Sequence, residues 1–153
     1  MKKSSKLSDS VHVLVLIQLD PFHNLTSARL AKSIKTNPSF IRQIMSKLKQ
    51  AGIIESVAGH PQPRLTAEPK NISLLDVYHA VEGNEPVLHL DTDINPECGP
   101  GINIQLSLKD YYQDIQKNIE QQMEKITLQD VIDNYENRLE NPQSDYLELI
   151  ADN

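Results

Sequence analysis

The chain has no tryptophan, two phenylalanines, one cysteine and five glycines in 153 residues. A single thiol, Cys98, excludes an intramolecular disulfide, and one chain alone cannot supply a thiolate set for a zinc or iron–sulfur site. The longest strongly apolar run, Val13 to Ile17 with Leu19 beyond, is too short to cross a bilayer. Met1-Lys2-Lys3 begins like a secretory leader, but Ser4, Ser5, Lys6, Ser8, Asp9 and Ser10 follow before any apolar stretch. A cytoplasmic location without a membrane partner is expected. Also missing are a phosphate-binding glycine loop, a nucleophile elbow and the i, i+4 histidine pair of a zinc helix. The five histidines (12, 23, 60, 79, 89) are scattered. Asp91, Asp93 and Asn95 alternate like the start of a calcium loop, yet its glycine and closing glutamate do not follow. No metal site, no cofactor and no enzymatic activity are expected.

What remains is a chain of globular composition, 39% hydrophobic and 24% charged, with a marked division of charge. Residues 1–66 carry ten Lys or Arg against Asp9, Asp20 and Glu55, a net of +7. Residues 67–153 carry five against eighteen acidic residues, a net of -13. A basic front and an acidic back suggest that a polyanion is held by one half only.

The front half reads as helices. Leu7, Val11, Leu14, Val15 and Leu19 recur at helical spacing, and Val13, Leu16 and Ile17 widen the apolar face to most of the circumference. Asp20-Pro21 ends that helix. Thr26 is placed to cap a second helix bearing Ala28, Leu30, Ala31 and Ile34. Asn37-Pro38 then opens a third, with a cap and a residue whose φ is already set, and its stripe is Phe40, Ile41, Ile44, Met45 and Leu48. Gly52 closes it. Two helices joined over Lys35 to Asn37, followed by short strands at 53–57 and 64–66 around a turn at 58–63, give the order of a winged helix-turn-helix. The pattern 26–49 also fits a helical hairpin in an all-α core.

Further on, Ser73 caps a helix ending at Gly83, and residues 84–101 form a long connection rich in Pro, Asp and Asn. A long helix over 103–125 follows, with Ile104, Leu108, Tyr111, Tyr112, Ile115, Ile119, Met123 and Ile126 advancing by threes and fours. A narrow seam on a long polar helix packs on another helix, and a twofold-related copy is the natural partner. Leu108, Tyr111, Tyr112, Ile115, Ile119 and Met123 are the expected dimerisation residues, with packing inside the monomer as the alternative. Thr127 with Asp130 forms a capping box for a last helix through Tyr135. The expected division is a DNA-binding unit at 1–66, a helical dimerisation and sensor region at 67–135, and a tail at 136–153.

Leu30-Ala31-Lys32-Ser33-Ile34, Ser39-Phe40-Ile41-Arg42-Gln43-Ile44, Lys47-Leu48-Lys49-Gln50-Ala51-Gly52-Ile53-Ile54, Ile72 to Gly83 and Ile126 to Val131 stand in the order found in the Rrf2 family of bacterial transcription regulators. The chain resembles that family over residues 7–135. The resemblance implies a mostly α fold with a small β-hairpin wing, and a homodimeric repressor of double-stranded DNA that binds a palindromic operator and dimerises through the long helix. An effector, a small molecule or a protein, would be the input. The family usually has Gly at the position of Lys35, and a Gly-rich wing where this chain has Gly59-His60-Pro61-Gln62-Pro63. Its cluster-binding branch has several closely spaced cysteines where this chain has only Cys98, so the likeness is to a cluster-less, single-cysteine branch.

Candidate DNA contacts are Ser39, Arg42, Gln43 and Lys47 on the third helix and Thr26 and Ser27 before it. Arg and Gln read base edges in pairs of hydrogen bonds, while Lys and hydroxyls hold phosphates. His60, Gln62 and Arg64 are the candidates in the wing. Cys98 is a candidate redox sensor, near a helix N-terminus that favours thiolate, although Glu97 opposes it. The second expectation, from a different class, is a protein-interaction module whose acidic half holds a metabolic enzyme.

Overall fold

The computed structural model describes residues 4–20, 25–59 and 62–141. In order, the elements are α1 (Lys6–Leu19), α2 (Ser27–Ile34), α3 (Pro38–Gln50), β1 (Ile54–Ser56), β2 (Pro63–Leu65), a 3-10 turn (Pro69–Asn71), α4 (Leu74–Glu82), α5 (Gly99–Lys125) and α6 (Leu128–Glu140). The fold is mostly helical with one antiparallel hairpin, in which Ile54 faces Leu65, Glu55 faces Arg64 and Ser56 faces Pro63. None of the described helices is long and apolar enough to cross a membrane.

Helix α1 is the centre of the packing, touching α2, α3, α4, α6 and β2. Its Val13 and Leu14 are fully buried, and the Ser10 hydroxyl, also buried, donates to the Lys6 carbonyl at 2.5 Å. The core continues through Leu30, Ile41, Leu48 and Ile54 into Ile72, Val77, Val81, Leu128 and Ile132. One hydrophobic cluster thus crosses the boundary expected near residue 66.

The helix starts follow the sequence closely. Thr26, Asn37, Ser73 and Thr127 each accept an amide hydrogen from three residues on, and Ser73–Asp76 and Thr127–Asp130 are reciprocal capping boxes. The two capping boxes are tied together: Leu74 N donates to Ile126 O at 2.8 Å and Leu128 N to Ile72 O at 2.7 Å. This bridge fixes where α6 leaves α5.

The strands, expected at 53–57 and 64–66, shift by one residue at their ends, and two helix boundaries differ by more. Helix α5 starts at Gly99, not near 103, with Cys98 as its N-cap residue, because Pro100 is tolerated in the first turn where no intrahelical amide is needed. Helix α6 runs to Glu140, past Tyr135, on exposed residues of which only Leu139 is apolar, so they give no apolar period. The expected tail segment beyond Asn141 lies outside the described residues.

His12, on α1, places Nε2 3.0 Å from Ser33 Oγ on α2, and burial lowers its pKa below the usual 6.5 despite the opposing charge of Asp9. The unfolded chain therefore binds this proton first as pH falls through 6.5, so folding stability drops on the acid side. His12→Gln should lose less thermal stability than wild type between about pH 7 and pH 5.5, as followed by circular dichroism. Leu14→Ala should cost about 2–5 kcal/mol in urea unfolding, because Leu14 is fully buried in the helix that the other elements enclose.

Candidate nucleic-acid interface

Helices α2 and α3 meet through Lys35-Thr36-Asn37. Lys35 adopts the left-handed conformation (φ 61, ψ 49), so the position where a relative would place Gly is here filled by a side chain in that strained region. Thr36 N donates to Ala31 O at 2.8 Å, which closes α2 as a Schellman-type end. One residue later Asn37 Oδ1 accepts from Phe40 N at 2.8 Å and starts α3. The short turn leaves the second helix no freedom to slide relative to the first.

Helix α3 buries Ile41, Ile44 and Leu48 and exposes Ser39, Arg42 and Gln43 along one stripe. Ser46 extends that stripe by one turn; its place was visible in the i, i+3, i+4, i+7 spacing, but a serine carries little signal of its own. Thr26 is exposed and its hydroxyl oxygen accepts from Arg29 N at 3.2 Å, which leaves the hydroxyl proton able to donate elsewhere. Ser27 beside it is half-buried.

Lys47 is placed differently. Its Nζ donates to the Val81 carbonyl at 3.2 Å, at the end of α4. The ammonium thus sits on a helix C-terminus, where the carbonyl dipoles favour a cation. It ties α3 to α4, although the residue remains exposed one turn on from Gln43.

In the wing, Arg64 Nε lies 2.7 Å from Glu55 Oε1, both side chains being well exposed. The pair is cross-strand, the geometry in which opposite charges stabilise a hairpin modestly. It spends one guanidinium edge and leaves the terminal nitrogens toward solvent. Thr66 Oγ1 donates to Gly52 O at 2.6 Å, which fastens the base of the hairpin to the end of α3. Gln62 is half-buried and engaged in an interaction of its own. His60 lies outside the described residues.

The long helix presents two different sides. None of the 27 residues of α5 is buried, and Ile104, Tyr111 and Ile115 are 64%, 68% and 42% exposed on one side of it. Leu108, Tyr112, Ile119 and Met123 are half-buried. The helix is held to α4 by Gln116, whose Nε2 donates to Tyr78 Oη at 3.3 Å, and by Glu120, 3.4 Å from His79 Nε2. The Tyr78 hydroxyl in turn donates to the Glu85 carbonyl. Cys98 is an exposed free thiol.

A family model described as Rrf2, iron-dependent transcriptional regulator, matches residues 3–134. The protein named as an HTH-type transcriptional regulator, YwnA of Bacillus subtilis (strain 168), is 36% identical over 129 residues, covering 84% of this chain and 96% of YwnA. A solved structure described as that of a DNA-binding protein superposes with a TM-score of 0.67 at 34% identity, covering 84% of this chain and 99% of that one. IscR of T. potens has the same fold, with a TM-score of 0.63, 20% identity and coverage of 97% and 96%.

Iron enters through the family description, and the donor set of this chain does not fit it. An iron–sulfur cluster takes several thiolates, and Cys98 is the one cysteine. Among the described residues no group of three or more His, Cys, Asp or Glu is placed to hold a metal ion.

Replacing Lys35 by Gly should relieve the left-handed strain and raise stability by about 0.5–1 kcal/mol in urea unfolding. An unchanged or lower midpoint would mean that the Lys35 side chain compensates for its backbone.

Proposed function

The chain belongs to the Rrf2 family and is a DNA-binding transcription regulator, and on that premise we propose that it acts as a homodimeric repressor, not an enzyme, on a palindromic operator in the cytoplasm. The observation that carries the reading is the exposed stripe of Ser39, Arg42 and Gln43 on a helix fixed by the capped turn at 35–37. In this reading α3 enters the major groove, where Arg42 and Gln43 meet base edges and Ser39 a phosphate. Thr26 and Ser27 hold the flanking backbone. Arg64, with Gln62 and His60, contributes from the wing, and Glu55 limits how much positive charge the wing delivers. Lys47 is a positioning residue that sets the angle of α3 on α4.

The second copy docks on α5. Ile104, Leu108, Tyr111 and Ile115 form the centre of the seam, with Tyr112, Ile119 and Met123 toward the α4 side. An exposed apolar stripe on a helix of this length is the kind of surface that a second helix covers. Twofold symmetry then places the two α3 helices on half-sites about one or two DNA turns apart. Residues 1–66 carry the DNA contacts, and 67–135 carry dimerisation and the input. Occupation of an operator across a promoter represses transcription.

Fluorescence anisotropy with duplex DNA tests the reading in three parts. Arg42→Ala with Gln43→Ala should weaken binding to a selected site by about ten- to a hundredfold, and wild-type affinity should fall steeply between about 50 and 200 mM salt. Ile115→Glu should sediment as a monomer and bind DNA far more weakly. Lys47→Met should leave the salt slope within about half a unit of wild type, whereas loss of a phosphate contact would lower it by about one. A flat salt response, or a dimer that survives Ile115→Glu, contradicts the proposal.

A further inference from the structure

The connection between α4 and α5 does not loop away into solvent. Val87 N donates to Gln116 Oε1 at 2.9 Å, so residues 86–92 lie as a strap along α5. Between strap and helix is a cleft of about 490 Å³, a size suited to a small organic molecule. Leu88 and Leu90 of the strap and Tyr112 of α5 give it apolar walls, and Lys109, Gln113 and Lys117 line it from the helix. From this arrangement we propose that the strap cleft binds a small amphipathic carboxylate, an apolar body with one anionic group.

The charge argument is specific. Residues 67–153 carry a net of -13 and hold only five Lys or Arg, and two of those five line this one cleft. Lys109 and Lys117 are two turns apart on one side of α5, so both ammonium groups serve the same opening. The acidic lining residue, Glu120, already has His79 Nε2 at 3.4 Å. His89 adds a further donor at the strap. A carboxylate therefore meets two cations and an amide against the one carboxylate of Glu120, while an amine meets two like charges and that single opposite one.

The cationic side of the cleft stays open when the centre of the seam is covered. Lys109, Gln113 and Lys117 each lie two residues from Tyr111 or Ile115, about 200° around the helix, so they face away from the centre of the seam, and Tyr112 borders both. The cleft also connects to the reading head. Gln116, one of its walls, holds both the strap and the Tyr78 hydroxyl on α4. The last turn of α4 carries the Val81 carbonyl that anchors Lys47 of α3. Ligand binding at the cleft stands apart from the DNA reading and is testable without DNA.

The test uses the full chain and a matched pair of probes, 3-phenylpropionate and 3-phenylpropylamine, followed by isothermal titration and by amide NMR shifts. The carboxylate should saturate with a Kd of about 0.1–5 mM, shifting the amides of 86–92, Val87 among them, and those of α5 around Gln113. The amine should bind at least about tenfold more weakly. Lys109→Gln with Lys117→Gln should weaken the carboxylate by about tenfold or more while leaving the circular dichroism melt unchanged, both side chains being exposed. As a second variant, Leu88→Asp on the exposed strap should also abolish saturation. Absence of saturable carboxylate binding, equal binding of the amine, or shifts confined to other parts of the chain would overturn the proposal.

Discussion

Helix α1 carries apolar residues around most of its circumference, and such a helix is stable only when enclosed on every side. Val13 and Leu14 are buried completely, and the elements that enclose α1 come from both ends of the chain: α2, α3 and β2 on one hand, α4 and α6 on the other. Everything else is arranged around this requirement. Helices α2 and α3 share a single core with α1, α4 and α6, so they are parts of one packed unit and not beads on a linker. The Lys47 bond to the end of α4 and the hydrogen-bonded pair of capping boxes at 72–74 and 126–128 reinforce the same junction. Helix α5 has no fully buried residue and is the element to which the proposed reading assigns a partner.

Charge completes the arrangement. The net +7 of residues 1–66 and the -13 of residues 67–153 orient the molecule on a polyanion before any specific contact forms. Within the front half the cations are not equivalent. Arg42 stands on the exposed stripe of α3, Arg64 shares its guanidinium with Glu55, and Lys47 is engaged by a carbonyl. Specificity under the proposed reading therefore rests on a short stretch of α3, with the wing supplying a tempered electrostatic contact. The strap cleft is the reverse case, a pair of lysines set in an acidic half, which is why it selects for a carboxylate.

Most of the fold was legible from local chemistry. Thr26, Asn37, Ser73 and Thr127 are residues that cap helices, and each does so. The stripe of α3 follows helical period, so its buried and exposed sides could be listed before any coordinates, and the apolar period of α5 marked the helix although none of its residues is fully buried. What escaped has physical causes. The first turn of α5 is Gly99-Pro100-Gly101, residues that read as a loop although proline fits a helix start, and so Cys98 moved from a connection to a cap position. The hydrogen bond from Lys47 to the Val81 carbonyl joins residues 34 apart in sequence, a contact no local pattern encodes. The strap is the same problem in larger form. Val87 with Gln116, and Gln116 with Tyr78, join segments 29 and 38 residues apart, so a stretch that reads as a loose connection becomes one wall of a cleft. Under the proposed reading, which sides of α5 would meet in a dimer, and which of Ser39, Arg42 and Gln43 would meet which base, depend on a second chain and on DNA.

The most direct measurement of the central claim is selection of bound duplexes from a random DNA pool by the purified, reduced, metal-free protein, with Arg42→Ala run in parallel. The account predicts enrichment of a palindrome with half-sites about one or two helical turns apart, bound without a cluster, and loss of that enrichment in the variant. No enriched sequence, an asymmetric single half-site, or the same palindrome recovered by Arg42→Ala would contradict it.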